Sequence, residues 1–327
     1  MARSPKIKVW ILFNEDLEAP TAEAYEVRRF VSEGKKMGVT VEVYKPEQFD
    51  LLVDDEVRDT VMIDSKAHTL PDFLLPRTYV IDTGYFALAV IRQLEHMGVR
   101  VFNGSSTIES VADKLHTHQI LAENHLPTPS TMLAKFPVNM KLIEETLGFP
   151  VVVKTLMGVN GSGVFLIDSP EAFHDLMELI GETQPNILLI FQEFISKSKG
   201  RDVRLFVVDG KVIASMERNA KPGGFKANYS QGGSVKEFHP DEEAIRLAVE
   251  TARTLNIQIA GIDLLFTEDG YTICEANTFP GFKGLESACN VNVPEEIFNA
   301  MIRRIQKEQS MLEDVTSKGD TKESLEV

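Results

Sequence analysis

Residues 150–168 read PVVVKTLMGVNGSGVFLID. Two apolar, β-branched runs flank a loop carrying Gly158, Gly161 and Gly163, and Lys154 lies inside the first run. A dinucleotide fingerprint needs G-x-G-x-x-G between a strand and a helix. Here the glycine order differs, and a β-branched and aromatic run follows. A Walker loop carries its lysine after the glycines and opens a helix, whereas Lys154 precedes them. What remains is a strand-loop-strand hairpin. Its tip is poor in side chains, so backbone N–H groups can close over an anion while the strand lysine points at it. A flexible surface hairpin is the alternative that this loop alone leaves open.

A second stretch, GIDLLFTEDGYTICEANTFPG at 261–281, bears on that choice. Glu275 and Asn277 are two apart on an expected strand and project from one face. Asp263, on the paired strand of the same hairpin, can face them across the ladder. Two carboxylates and an amide oxygen are hard ligands, too few for a closed calcium cage and suited to magnesium shared with phosphates. Flanking Ile262, Leu264, Ile273, Cys274 and Ala276 predict a strand buried on both sides, where paired acids need a cation. Between the two stretches, Arg204, Arg218, Lys226 and Asn228 cluster around one hairpin. Guanidinium forks suit phosphoryl oxygens or a carboxylate, and with the acids they complete a charge-balanced pocket.

The 327 residues exceed what one hydrophobic core sustains, so two or three subdomains are expected. Strand and helix patterns alternate through KIKVWILF, 20–37, VTVEVY, DFLLPR, ALAVIRQLEHMG and VRVFN, which predicts an α/β amino-terminal layer. A helix is expected over Ser106–Ser130, closed by prolines. Beyond it, pairs such as VVDGKVI and FTEDGYTI read as antiparallel hairpins, giving an α+β remainder. The last residues are charged and predicted mobile.

A net charge of −15 argues against a nucleic-acid partner. No apolar run reaches the roughly 18 residues of a membrane span. Cys274 and Cys289 lack C-x-x-C spacing, no leader pattern opens the chain, and the seven histidines show no metal-ligand spacing. The reading is a cytoplasmic protein with Cys289 as a packed residue.

Lys114, Lys154, GVNGSGV, ILLIFQEFI, RDVRLFVV, FKANYSQGG, GIDLL and CEANTFPGF stand in an order that resembles the ATP-grasp superfamily, specifically the RimK-type ligases that join an amino acid, often glutamate, to a carboxylate. The resemblance covers about residues 114–305 closely and the amino-terminal layer in outline. It implies an ATP-grasp fold with a pre-ATP-grasp α/β domain at 1–108, a central subdomain with the glycine lid at 109–191, a carboxy-terminal subdomain with the metal site at 192–306, and a mobile tail at 307–327. It implies that Lys114 and Lys154 contact ATP phosphates beneath Gly158, Gly161, Ser162 and Gly163. Glu193 and Phe194 would meet adenine, with Asp202 near the ribose. Asp263, Glu275 and Asn277 match magnesium ligands, with manganese as a substitute. Arg204, Arg218 and Asn228 match positions near the γ-phosphate, Lys226 matches a nucleotide-contacting position that is often arginine in relatives, and Arg77 resembles a substrate-contacting arginine.

The implied activity is an ATP-dependent carboxylate-amine ligation through an acylphosphate. Its partners are ATP, an amino acid and a carboxylate acceptor, whether a metabolite, a peptide or a protein C-terminus. A dipeptide ligase and a non-catalytic nucleotide-binding regulator are the alternatives, and a homo-oligomer is left open.

Overall fold

The first strand, β1 (Lys8–Leu12), buries Val9, Trp10, Ile11 and Leu12 completely, so it is covered on both faces as strands of parallel sheets are. In the computed structural model, the described residues are 7–323 without 55, 57, 79, 157–162, 185, 226 and 228–231; the side chains of 80–83 and 312–323 also lie outside the description. Helix α1 (Ala22–Met37) starts at Thr21, whose hydroxyl accepts from the Ala24 N–H at 3.2 Å, and stops at Gly38, where φ is +74°. Strand β2 (Thr40–Tyr44) then pairs parallel to β1. A small antiparallel sheet of β3 (Phe49–Asp50), β4 (Thr60–Ile63) and β5 (Lys66–Thr69), not anticipated from the sequence, intervenes. With β6 (Phe73–Pro76), α2 (Val80–His96) and β7 (Arg100–Val101), the main layer closes in the order β2-β1-β6-β7. Val9 and Ile11 pack in one core with α1, and Trp10 and Leu12 in another with α2, so the two helices cover opposite faces.

The helix expected over 106–130 is divided into α3 (Ser105–Ala112) and α4 (Lys114–Glu123). Asp113 causes the break. Its carboxylate accepts from the His116 N–H at 2.9 Å and caps α4, because a short acid competes with the helix for backbone donors. Lys114 therefore opens the first turn of α4.

The central sheet is antiparallel, in the order β10-β9-β11-β8, built from β8 (Thr131–Leu133), β9 (Val151–Thr155), β10 (Val164–Ile167) and β11 (Leu189–Glu193). Helices α5 (Met140–Leu147) and α6 (Pro170–Thr183) pack on it around Ile143, Phe173 and Phe191. The glycine stretch is a hairpin, with Lys154 opposite Val164 and Val151 opposite Ile167. Its tip lies outside the described residues. At its described end, Gly163 has φ +68°, and a Cβ there would come within 2.6 Å of Thr155 Oγ1.

The third sheet runs β14-β13-β12-β15-β16, from β12 (Arg201–Val208), β13 (Lys211–Asn219), β14 (Ser234–Glu237), β15 (Ile259–Phe266) and β16 (Tyr271–Asn277), with α7 (Glu242–Thr254) against it. β12 and β13 join through Asp209 (φ +49°) and Gly210 (φ +77°), the positive pair that a tight hairpin turn requires. Helix α8 (Lys283–Ala288) precedes α9 (Val293–Glu323), whose Val293, Ile297, Phe298, Met301 and Ile305 form a buried stripe. The helix continues past residue 306, where the sequence suggests a mobile tail. The first added turns, KEQSMLE at 307–313, consist mostly of good helix formers, and Arg100 Nε donates to Glu308 Oε2 at 2.9 Å. Among the described residues no helix is long and apolar enough to cross a membrane.

The first and third sheets share a core: Phe206, Val208, Met216 and Ile259 pack with residues of β1, α1 and α9. Asn103, fully buried, stitches them together. Its Nδ2 donates to the carbonyls of Ile259 (2.8 Å) and Thr278 (2.7 Å), and its Oδ1 accepts from the N–H groups of Gln258 (2.7 Å) and Ile259 (2.9 Å). Asn103→Ala strands these backbone groups in a dry interior, so stability should fall by on the order of 3 kcal/mol in denaturant unfolding. A loss within about 0.5 kcal/mol, the scale of a neutral surface change, would contradict this account.

Candidate active site

Strand alternation gathers four charged side chains on one face of the third sheet. Asp202 and Arg204 are two apart on β12; Arg204 opposes Asp263 on β15, and Asp202 opposes Arg218 on β13. Arg204 grips Asp263 with both prongs, Nε to Oδ1 at 2.6 Å and NH2 to Oδ2 at 2.7 Å. Arg218 does the same to Asp202, at 2.6 and 2.8 Å, and its NH2 also reaches Asp263 Oδ2 at 2.7 Å. Burial alone would push the Asp263 carboxyl up, but Arg204 and Arg218 together hold it below the usual carboxylate range. For Asp202 the burial penalty outweighs Arg218, and its pKa is raised. Arg218 is itself raised despite its burial, because Asp263 and Asp202 both stabilise its charge. The packing leaves no slack: a Cβ on Gly261 would meet Pro280 Cβ at 2.7 Å and Arg204 Nε at 3.3 Å.

Glu275 stands directly opposite Asp263, and Asn277 opposite Gly261, so the three expected oxygen ligands share this face. The ladder slips by one residue just beyond, since Leu264 pairs with Ile273, and Cys274 is the extra residue. Among the described residues, no group of three or more His, Cys, Asp and Glu side chains gathers as a metal-binding cluster. The trio fits a hard cation as two carboxylates plus an amide. Of the roughly four lone-pair sites on Asp263, the guanidinium bonds occupy both on Oδ2 and one on Oδ1. Asn277 Nδ2 donates to the Gly261 carbonyl at 3.3 Å, which turns its oxygen the other way.

A cavity beside this face is lined by Lys114, His118, Lys154, Cys274 and Glu275. Helix α4 presents Lys114 and His118 one turn apart; β9 presents Lys154. Burial lowers the Lys114 pKa, Glu275 opposes that, and Lys154 adds to it. Burial pushes the Cys274 thiol up to about 11, so it stays protonated near neutrality. Cys289 is buried, its Sγ donating to the Ser215 carbonyl at 3.3 Å.

The remaining expected residues fall elsewhere. Glu193 ends β11, exposed, and its Oε2 accepts from the Ser130 N–H at 3.2 Å; half-buried Phe194 follows it into the connection to β12. Arg77, suggested to meet substrate, forms an ion pair with buried Glu26 and donates to the Pro280 carbonyl at 3.3 Å. Glu26 in turn accepts from the N–H groups of Phe282 (2.6 Å) and Lys283 (2.9 Å), so the pair holds the loop after β16. Gly158, Gly161, Ser162, Lys226 and Asn228 lie outside the described residues. Sequence reasoning missed His118 and Gln192. The signals available were the one-turn spacing of Lys114 and His118, and the adjacency of Gln192 to Glu193.

His118 is buried, and burial first, then Lys154, lowers its pKa to about 4 from 6.5. Between those values the unfolded chain binds more protons than the folded one. The free energy of unfolding should therefore drop as pH falls from about 6.5 to about 4, by up to about 3 kcal/mol from this group. Denaturant unfolding of the wild type and His118→Gln at about pH 7 and about pH 4.5 isolates this contribution; equal losses in both proteins would refute it.

The RimK-like ATP-grasp domain model matches residues 111–301, and the RimK pre-ATP-grasp domain model matches residues 9–108. A Shewanella pealeana protein named probable alpha-L-glutamate ligase is 32% identical over 292 residues, 89% of this chain. The chain spans 62% of that relative's length. A Xanthomonas euvesicatoria protein of the same name is 32% identical over 289 residues, with 88% of this chain and 96% of that protein covered. The solved structure of the ATP-grasp ligase PsnB complexed with a minimal precursor superimposes with a TM-score of 0.70 at 18% identity, covering 91% of this chain and 99% of that one. That identity speaks for the fold alone. With an ATP-grasp core preceded by a pre-ATP-grasp layer, the chain belongs to the RimK-like ATP-grasp family.

Proposed function

We propose that the chain is an ATP-dependent carboxylate-amine ligase that adds an amino acid, glutamate in the first instance, to a substrate carboxylate. The observation that carries the reading is the opposition of Asp263 and Glu275 on one strand pair, beside a cavity that Lys114, Lys154 and Glu275 line. Glutamate is supported by the relatives' name, probable alpha-L-glutamate ligase.

The substrate carboxylate attacks the terminal phosphorus of ATP, giving an acylphosphate and ADP. The amine of the incoming amino acid then attacks the acyl carbon, and phosphate leaves as the amide forms. Lys114 and Lys154 supply fixed positive charge for the transferring phosphoryl group. Arg204 and Arg218 keep Asp263 ionised and fixed in one rotamer. In this reading Glu193 and Phe194 line the connection where adenine would lie and Asp202 would serve the ribose, while the roles assigned to Asn228 and Lys226 fall on residues outside the described ones. Asp263, Glu275 and Asn277 would hold magnesium, or manganese, which when bound shields phosphoryl oxygens and withdraws charge from the γ-phosphate. No covalent nucleophile of the protein is needed, since the work is positioning and charge neutralisation.

The test is ADP release and product mass in reactions containing ATP, magnesium, glutamate and candidate acceptors, with single amino acids and pairs of amino acids as separate arms. A fixed glutamyl increment on an acceptor carboxylate is expected, whereas products from free amino-acid pairs alone would point to a dipeptide ligase. Glu275→Gln should lower turnover at least about 100-fold, the scale of losing one preorganised electrostatic group. Lys154→Ala should weaken ATP binding about 10-fold or more, as loss of a charge-assisted hydrogen bond does. ADP release that persists undiminished in Glu275→Gln would remove the basis of the assignment.

A further inference from the structure

Lys154, Gln192 and Thr131 share one face of the central sheet. Gln192 opposes Thr131 on β8, and it lies two residues beyond Ile190, the residue opposite Lys154. Helix α4 covers that face with His118. Lys154 Nζ donates to Gln192 Oε1 at 2.7 Å, and Gln192 Nε2 lies 2.8 Å from Thr131 Oγ1 and 3.1 Å from His118 Nε2. His118 Nδ1 contacts Thr128 Oγ1. Gln192 and His118 are both buried.

The donor inventory fixes every orientation in this chain. An ammonium only donates, so Gln192 must turn its oxygen to Lys154. Its two amide hydrogens then go to Thr131 Oγ1 and His118 Nε2, which makes Nε2 an acceptor without a proton. The imidazole is therefore the neutral Nδ1–H tautomer, donating to Thr128 Oγ1. The lowered pKa of His118, about 4, agrees with that tautomer near neutral pH.

We infer that Gln192 and His118 are positioning residues that aim the Lys154 ammonium at the phosphates of the bound nucleotide. The inference rests on the nucleotide reading proposed above. The choice of amide at 192 is the informative detail. Lys154 and Lys114 face one cavity and repel, so Lys154 needs a partner to stay there. A carboxylate at 192 would hold it more tightly but cancel the charge that a phosphate requires. A neutral carbonyl holds the ammonium and leaves its charge to act. His118 keeps that carbonyl turned the right way by occupying the other end of the amide.

The test measures binding of ATP with magnesium to the full chain by calorimetry, alongside thermal unfolding without nucleotide, for Lys154→Ala, Gln192→Glu, His118→Phe and His118→Gln. Gln192→Glu should weaken ATP binding about 10-fold or more, because a carboxylate cancels the Lys154 charge and cannot donate to His118 Nε2, while its unfolding temperature stays above that of the binding measurement so that the folded protein is what is compared. His118→Phe should weaken binding about 5- to 10-fold, and His118→Gln, which restores an acceptor near the Nε2 position, should return it to within about 2-fold of the wild type. If His118→Phe does not fold, Gln192→Glu decides. Weakened binding in Lys154→Ala with none in Gln192→Glu overturns the inference alone, as does equal weakening in His118→Phe and His118→Gln. Equal affinity of wild type and Lys154→Ala overturns the nucleotide reading and this inference with it.

Discussion

Asp263 is a carboxylate held in the interior of a sheet by two guanidinium groups, and the rest of the carboxy-terminal architecture follows from keeping it charged. Removing a carboxylate from water costs several kcal/mol, repaid only when its lone pairs are well met. Arg204 meets it from the neighbouring strand and Arg218 from one strand further, so the registers of β12, β13 and β15 must all be kept. Gly261 follows from the same constraint, since any side chain there would press on Arg204 and on Pro280. Deleting one partner of such a group typically costs about 3–5 kcal/mol because the other charge is stranded. A hydrophobic set of equal volume would stabilise the sheet at least as well. The arrangement is therefore better explained by what the carboxylate does at the sheet face than by stability.

Electrostatics divide the neighbourhood into two kinds of positive charge. Arg204 and Arg218 are spent inside the protein, each committed to an aspartate. Lys114 and Lys154 face a cavity, where burial lowers the Lys114 pKa and Glu275 partly offsets it. Charge held in such surroundings is poorly hydrated, so it interacts more strongly with its neighbours than charge at the open surface does.

Much of this was legible in the chain. The hairpin of 150–168 was fixed by a lysine preceding glycines and a β-branched run following them. The shared face of Asp263, Glu275 and Asn277 was fixed by the period of two, and the β12–β13 turn by Asp209-Gly210. What the chain did not reveal depends on contacts distant in sequence. Arg77 resembles a substrate-contacting arginine in sequence, and its ion pair with buried Glu26, on another element, shows only in the fold. Asp202 reads as a single acid, yet its partner Arg218 arrives only through strand pairing. The break at Asp113 was missed because a capping acid and a solvent-facing helical acid look alike in sequence. His118 and Gln192 carry no motif; their role is set by a helix of one layer lying over a sheet of another.

The separate cores give that last contact a structural meaning. Helix α4 packs through Leu121 with the third sheet, whereas Lys154 and Gln192 belong to the central sheet, whose core is its own. The central sheet is entered at Ser130 and left at Glu193, and these two ends are clasped: the Glu193 N–H donates to the Ser130 carbonyl at 2.9 Å, and the Glu193 carboxylate accepts in return. The two chain crossings are thus adjacent and tied to each other, one residue away from the contact between Gln192 and His118. The environment of the Lys154 ammonium is therefore set at the seam where the central sheet is joined to the rest of the chain.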